Sequence, residues 1–447
     1  MSNLAKALKE NSNLITKRIV ALCKMRLLSP ALIGSGEDEN TDRDVYLDVN
    51  QSPIISGTSL AGVLRSAMDE KDAAILFGPQ INKPGDESAI SQLWVLDAPA
   101  LVEEKDKNGV LPAKVIIIDN VALEENKVAK PGAKFDFEAI ERDSYFHLRL
   151  QLIVRKNSHE NTEALFEELL PKLNTLYIGG KTSRGFGKLQ CESVYKKVFE
   201  NNNTGLKDWK KFNWDEWILY VQAEKCDNSE LLSYKPEHIS LISAELNLKG
   251  TLLIRDDYSV TGDEDSAHIT SAGKSVIYGT SWAGAMKNGL ARFIDTNNCK
   301  NYLDEVFGYI DGKTKPKQHY PSKVRVDASY FENESRHPVM RVKIDRWTGG
   351  TVNGALFTVC PQFGGKVTLT IHYPKDDCAI KQLFILALQA IDLGIITIGG
   401  ETAIGRGVFT VEKICIDGTK QNKCDLFSQP KKTLADAIEA KGGAVNG

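Results

Sequence analysis

One seventeen-residue pattern occurs twice in this chain. "SPIISGTSLAGVLRSAM" at 52–68 returns as "KSVIYGTSWAGAMKNGL" at 274–290, and "IGGKTSRGFGKL" at 178–189 returns as "IGGETAIGRGVF" at 398–409. The offsets are 222 and 220 residues, so two independent anchors predict a duplicated domain of about half the chain. Two weaker pairs fall in the same order: "LFG" at 76–78 with "VFG" at 306–308, and an apolar strand around Phe137 with another near Phe357.

The duplication predicts a first domain over 1–205, a linker over 206–236, a second domain over 237–425 and a tail over 426–447. The linker falls where "ENNNTGLKDWKKFNWDE" is polar and Asn-rich before a new apolar strand begins near Ile239. The tail is rich in Ala, Lys and Gly and reads as a loose helix without an apolar partner.

Each half reads alike. "RIVALCKMRLLSPALIG" and "HISLISAELNLKGTLLI" alternate apolar and polar residues as a half-buried first strand. An acidic loop follows, then GTS and a helix with Leu60, Val63, Leu64, Ala67 and Met68 on one face in the first copy. Further strands come next, then a second helix ("TEALFEELLPKLNTL" or "AIKQLFILALQAIDL"), the Gly-rich segment and a last strand. This order predicts an α+β fold: two tandem ferredoxin-like or RNA-recognition-like domains with long insertions.

Composition narrows the function. With 42% hydrophobic and 26% charged residues, the chain is globular in type. It has no run of 18 apolar residues and no secretory leader pattern, so a cytoplasmic protein without a membrane partner is expected. The eight cysteines form no CxxC pair and share no spacing with the seven histidines, which argues against a zinc site or a disulfide framework. Net charge is -3, so any polyanion has to be held by a local basic strip.

In the first copy Gly57 permits a sharp turn and Thr58 or Ser59 can cap the helix that follows, leaving N–H groups for an anion. Gly279, Thr280 and Ser281 repeat this in the second copy. Arg65 in one and Lys287 in the other add a cation at nearly the same place; the plain alternative is a cap and a solvated charge. The Gly-rich segment fits no Walker pattern. Gly180, Lys181 and Arg184 form a cationic turn able to approach a sugar-phosphate backbone, and the second copy keeps Gly400 and Arg406 but puts Glu401 where Lys181 stood. Glycines there serve equally for a tight return between helix and strand. "RVKIDRWTGGTVNGALF" at 341–357 reads as a basic hairpin in which Arg341, Lys343 and Arg346 surround Trp347, an aromatic either exposed for stacking on bases or buried. Carboxylates of the acidic loops (Asp42, Asp44 and Asp48; Asp263 and Asp265, with His268) are either solvated or placed to assist a 2′-hydroxyl attack, as base or through a divalent ion.

Taken together, "LIGSG" with its acidic loop, "IISGTSLAGVLRSAM", "KIDRWTGGTVNGALF" and "IGGKTSRGFGKL" resemble the RAMP (repeat-associated mysterious protein) superfamily. The likeness is to the backbone subunit of type III CRISPR effectors, in the tandem fused form seen in type III-D-like systems. The resemblance implies an RNA-recognition-like palm with a thumb-type hairpin, binding of a CRISPR guide RNA, and assembly with other subunits of the complex. It also implies endoribonuclease cleavage of complementary single-stranded target RNA, in antiviral defence, by an aspartate of the loop after the first strand. A divalent metal ion, Mg2+ or Mn2+, is implied as cofactor. Matching the motif places the catalytic, metal-holding aspartate at Asp42, with Asp44 as alternative. In the second half strict counting back from Gly279 reaches Glu264, whereas the Asp-Ser pattern of "DSAH" selects Asp265, with Asp263 behind it. Two further readings are a non-catalytic RNA-binding subunit of the same complex and a guide-processing ribonuclease of the superfamily, which calls for a base such as His147 or His268.

Overall fold

The computed structural model describes residues 14–36, 44–80, 89–104, 109–123, 129–221, 234–260, 262, 264–292, 297–311, 318–333 and 335–443. It divides into two compact units. Unit 1 comprises Met1–Ile116, Glu138–Gly180 and Gly187–Pro236; unit 2 comprises Ile117–Phe137, Lys181–Phe186 and Glu237–Gly447. The division therefore does not simply follow the chain: part of the strand pair Val115–Leu123 and Ala129–Ile140 and the turn of the first Gly-rich segment belong to unit 2.

In unit 1 the last strand Leu189–Glu200, the first strand Ile15–Leu27 and the strand Tyr145–Arg155 lie side by side in that order, all antiparallel. Last, first and third in a row is the ferredoxin-like order. The helices Gly57–Ser66 and Thr162–Lys172 cover this sheet, setting Leu60, Leu64, Leu165, Phe166 and Leu169 against Ala21, Cys23 and Met25 of the first strand. Full burial of a ring such as Phe166 stabilises by roughly 1.5–3 kcal/mol. The first strand departs from simple alternation, because Ile19 to Cys23 are buried without a break and so are covered on both faces.

Unit 2 repeats the plan in the order Arg325–Val326, Lys366–Pro374, Ile239–Lys249, Val408–Ile416, Thr419–Gln421, again antiparallel. Here the first strand does alternate, residue by residue, between buried and half-buried. The helix Gly279–Leu290 buries Trp282 where the first copy has Leu60, and the indole Nε1 donates to Ser329 Oγ at 3.0 Å. The long helix Cys378–Asp392 buries ten residues, which makes it the centre of this core.

Two expectations change. The polar stretch after Glu200 holds the helices Asn203–Lys211 and Trp214–Val221, joined by stacked Trp209 and Phe212 and capped at Asn202. The tail is a helix, Pro430–Gly443, but not a loose one: Leu434 is buried in the core of unit 2 and Ile438 packs against it. Two apolar side chains one turn apart suffice to dock a segment whose composition is otherwise polar.

Candidate nucleic-acid interface

The GTS turns begin their helices two or three residues earlier than the motif suggests. Ser56, not Thr58 or Ser59, is the N-cap in unit 1, with its Oγ accepting from the Ser59 amide at 3.2 Å. The Ser56 hydroxyl in turn donates to Ser59 Oγ at 2.9 Å and lies 3.0 Å from Thr58 Oγ1. The Gly57 amide donates to Asp97 Oδ1 at 2.6 Å, so an internal carboxylate already uses the positive end of this helix. In unit 2 the N-cap is Tyr278, whose side chain makes no capping bond; Thr280 and Ser281 are half-buried, and the Ser281 amide donates to the Tyr278 carbonyl. Gly279 is forced: a Cβ there would lie 2.0 Å from the Val326 carbonyl oxygen.

The cations on these helices have equivalent partners. Arg65 donates to the Gly78 carbonyl at 2.6 Å and pairs with Glu70, while Lys287 donates to the Gly308 carbonyl at 3.2 Å and pairs with Asp304 at 2.7 Å. Gly78 and Gly308 are the glycines of "LFG" and "VFG", each just past the end of a helix (Glu70–Phe77 and Asn297–Phe307). In the structure these cations thus clamp the C-terminal end of the neighbouring helix, where carbonyls lack intrahelical donors.

The two Gly-rich segments share one backbone. The amides of Gly180 and Gly400 donate to the carbonyls of Leu32 and Leu253, at 2.7 and 2.8 Å. Lys181 and Glu401 then both adopt left-handed φ, 56° and 54°, ahead of a short 3-10 turn. Their side chains differ in chemistry. The Lys181 ammonium sits 3.7 Å from the centre of the Phe137 ring and 4.4 Å from that of Phe135. Arg184 donates to the Phe307 carbonyl at 2.6 Å, and burial holds its guanidinium below its usual pKa.

Glu401 instead gathers three arginines: Arg255 at 2.9 Å, Arg341 at 2.8 Å and the buried Arg406 at 3.2 Å. Burial pushes its carboxyl up, but hydrogen bonds from Arg255 and Arg341 and the charges of Arg406 and Arg341 outweigh this and hold it below the ordinary glutamate range. Sequence reasoning does not reach Arg255 or Asp97, and it assigns Arg341 to the basic hairpin around Trp347 rather than to Glu401. Ion pairs that join distant segments leave no local pattern.

The hairpin Val339–Ile344 and Thr351–Cys360 leaves Met340, Ile344, Leu356 and Phe357 exposed, and Trp347 at its turn is 96% exposed. Asp345 organises that turn. Its Oδ1 accepts from the amides of Trp347 and Thr348 at 3.0 and 2.8 Å, which lowers the carboxyl's pKa, and its amide donates to the Gly350 carbonyl at 2.9 Å. An Asx turn of this kind is readable in "DRWTGG". Arg346 is exposed beside the indole.

Asp42 and Asp263 lie outside the described residues. Asp44 starts the short strand Asp44–Val45, and Asp48 caps its own turn through the amides of Asn50 and Ser52. Asp265 is exposed, exchanging two bonds with the hairpin's return strand: its amide donates to the Thr358 carbonyl at 2.9 Å and its Oδ2 accepts from the Thr358 amide at 2.7 Å. The ladder supplies a register that counting missed. Tyr46 donates to Ile33 and Ile269 to Ile254 in matching positions, and Asp42 and Asp265 each precede that donor by four residues. From the donor to Gly57 is eleven residues in the first half but only ten to Gly279 in the second, so counting back from the glycine slips by one and reaches Glu264.

Among the described residues no group of three or more His, Cys, Asp or Glu is placed to hold a metal ion. A single exposed carboxylate does fit an ion that is held by one protein ligand and by substrate phosphates. His268 does not fit a general base: it is fully buried, its Nδ1 accepts from the Ile254 amide at 3.0 Å, and burial with nearby Arg336 pushes its pKa to about 3. His147, on the strand Tyr145–Arg155, is pushed to about 4 by burial and by Lys24 and Arg149.

Two ferredoxin-like units, each with a GTS helix, an acidic loop and a Gly-rich return, define a tandem α+β protein of the RNA-recognition type. The chain belongs to the RAMP superfamily, whose sequence profile matches residues 24–190 and 247–410. Among solved structures, a chain of a type III-B Cmr-beta assembly in the apo state is similar at 12% identity and a TM-score of 0.31, with 39% of this chain and 97% of that one covered. A chain of type III-B Cmr-beta bound to cognate target RNA is similar at 17% identity and a TM-score of 0.30, with 44% and 66% covered. No curated protein matches the sequence. No helix among the described residues is long and apolar enough to cross a membrane.

Proposed function

We propose that this chain is a guide-RNA-binding backbone subunit of a type III CRISPR effector complex and that it cleaves complementary target RNA beside its acidic loops. The observation that carries the reading is the hairpin Val339–Cys360, an exposed tryptophan flanked by Arg346 on a turn fixed by Asp345, hydrogen-bonded at its base to the acid-bearing strand. An exposed ring on a rigid basic ribbon suits insertion between stacked bases, and base pairing to the guide would supply sequence choice.

In this reading Asp42 and Asp265 stand at the scissile phosphates. Each carboxylate assists removal of the 2′-hydroxyl proton while the 2′-oxygen attacks the adjacent phosphorus and the 5′-oxygen leaves, giving a cyclic phosphate and a 5′-hydroxyl end. Asp42 and Asp265 are the residues that would hold a Mg2+ or Mn2+ ion, which would supply charge neutralisation. The Thr358 amide holds Asp265 Oδ2, and in this reading Oδ1 serves the substrate. Gly180, Lys181, Gly400 and the GTS turns serve guide contact in this reading, while Arg65, Lys287, Arg184 and Arg406 hold the surfaces that carry them.

The test is to assemble the complex with guide and complementary RNA and compare Asp42→Ala with Asp265→Ala. Each change should remove its own cleavage product and leave RNA binding intact, as should a chelator for both. If neither change alters any product, the cleavage sites are elsewhere and the chain is a structural RNA-binding subunit.

A further inference from the structure

Unit 2 contains a pocket of about 520 Å³ that none of the motifs above predicts apart from its rim at Lys181. It lies between the turn 181–183, the start of the first strand of unit 2 at His238, the segment 321–325 and the end of the strand Lys366–Pro374. Its volume falls within the range of small-molecule sites and far exceeds what a lone inorganic anion needs.

Two kinds of residue meet there. Lys181, Lys323 and Arg325 make its lining cationic, His238 and His372 add ring nitrogens, and no carboxylate lines it among the described residues. This is against the grain of a chain whose net charge is -3. Two of these groups are held in place: Lys323 pairs with Glu305, and His372 Nε2 lies 3.1 Å from the buried carboxylate of Asp327. The pairing Arg325 with His372 across adjacent strands brings the two onto one sheet edge. Ile239, Pro321 and the largely buried Val324 and Tyr373 complete the lining, together with Thr182 and Ser183.

We propose that this pocket binds a nucleoside monophosphate, its phosphate against Lys323, Arg325 and His372 and its base against the apolar lining residues. Charge-assisted donors select the phosphate, and Arg325 can engage two of its oxygens at once. The apolar residues and hydroxyls select an attached nucleoside over inorganic phosphate. The same chemistry occurs in a free nucleotide and at the 5′-phosphorylated end of an RNA. The proposal rests on Lys323, Arg325 and His372, which have no part in guide binding or cleavage; only Lys181 at the rim is shared with the guide contacts proposed above.

The test uses the full chain freed of nucleic acid and titrated with AMP by calorimetry. Saturable binding with a Kd below about 1 mM is expected, with adenosine at least tenfold weaker and the double variant Lys323→Ala, Arg325→Ala weakened at least tenfold. Phosphorus NMR of AMP with the unaltered protein keeps the test independent of whether the variant folds: line broadening that inorganic phosphate reverses is the expected result. Competition then separates the sources. An RNA oligomer with a 5′-phosphate that displaces AMP while its 5′-hydroxyl twin does not supports the RNA end; no displacement by either supports the free nucleotide. No saturable AMP binding, equal binding of adenosine, or equal displacement by both oligomers would overturn the proposal.

Discussion

The two Gly-rich turns share a backbone and differ in surroundings. At Gly185 a Cβ would lie 2.6 Å from Asp327 Cα and 2.8 Å from the Val326 carbonyl oxygen, so the turn 181–186 is packed in unit 2. At Gly405 a Cβ would meet nothing within 4 Å, and neighbouring Ile404 is 59% exposed. Duplication has kept the turn and changed its role: one copy is packed within unit 2, the other is an open surface. Lys181 and Glu401 follow the same division, one laid over aromatic rings, the other holding three arginines.

The largest effects test what the copies still share. Gly187 and Gly407 both have positive φ, and a Cβ on either would lie 1.8 Å from a carbonyl oxygen, that of Ile178 or Ile398. Gly187→Ala and Gly407→Ala should each destabilise by more than about 3 kcal/mol in urea unfolding, because backbone rather than a flexible side chain must move. A sharper contrast is Gly185→Ala against Gly405→Ala. The second meets only the left-handed strain, about 1 kcal/mol, whereas the first adds a backbone clash and should cost at least twice as much. Equal costs would break the comparison.

Acid should act on both units in the same sense. The folded pKa values of His268, about 3, and His147, about 4, lie below the unfolded value of roughly 6.5. Between those limits the unfolded chain binds more protons, so this stability is complete above about pH 6.5 and is lost as pH falls toward the folded values. From pH 7 to 5 each site should cost roughly 2 kcal/mol. His268→Asn, which keeps an acceptor for the Ile254 amide, should flatten the acid slope measured by urea midpoints at pH 5, 6 and 7. An unchanged slope would mean that other groups set it.

Much of the fold was legible because duplication allowed each weak signal to be read twice. The strands at Ile15, Tyr145, Ile239 and Lys366 and the helices at Thr162 and Cys378 stand where periodicity put them. The sequence was silent where a segment's partner lies far along the chain. Nothing in "ENNNTGLKDWKKFNWDE" announces that Trp209 will pack edge-on against Phe199, and nothing beside Glu401 announces Arg255 and Arg341. The candidate site was legible in part. "DRWTGG" announced an aromatic turn, but whether Trp347 is wet or buried depends on what covers the hairpin, which no local pattern records.

The smallest effect concerns the repeated cations. Arg65 and Lys287 looked like two grips on phosphate because a positive charge recurred beside a helix N-terminus. Their partners, the carbonyls of Gly78 and Gly308 and the acids Glu70 and Asp304, give recurrence another cause: each copy must close the end of its next helix before the chain turns at a positive-φ glycine. Arg65→Met and Lys287→Met keep the aliphatic stem and remove the donor, so each should cost about 1 kcal/mol, the worth of one partly buried charged hydrogen bond. Arg65 should cost slightly more, since it bonds the carbonyl at 2.6 Å rather than 3.2 Å. If either change instead leaves the unfolding midpoint unmoved and weakens binding of single-stranded RNA with a shallower salt dependence, that cation grips phosphate after all, and the duplication preserved a binding contact rather than a helix end.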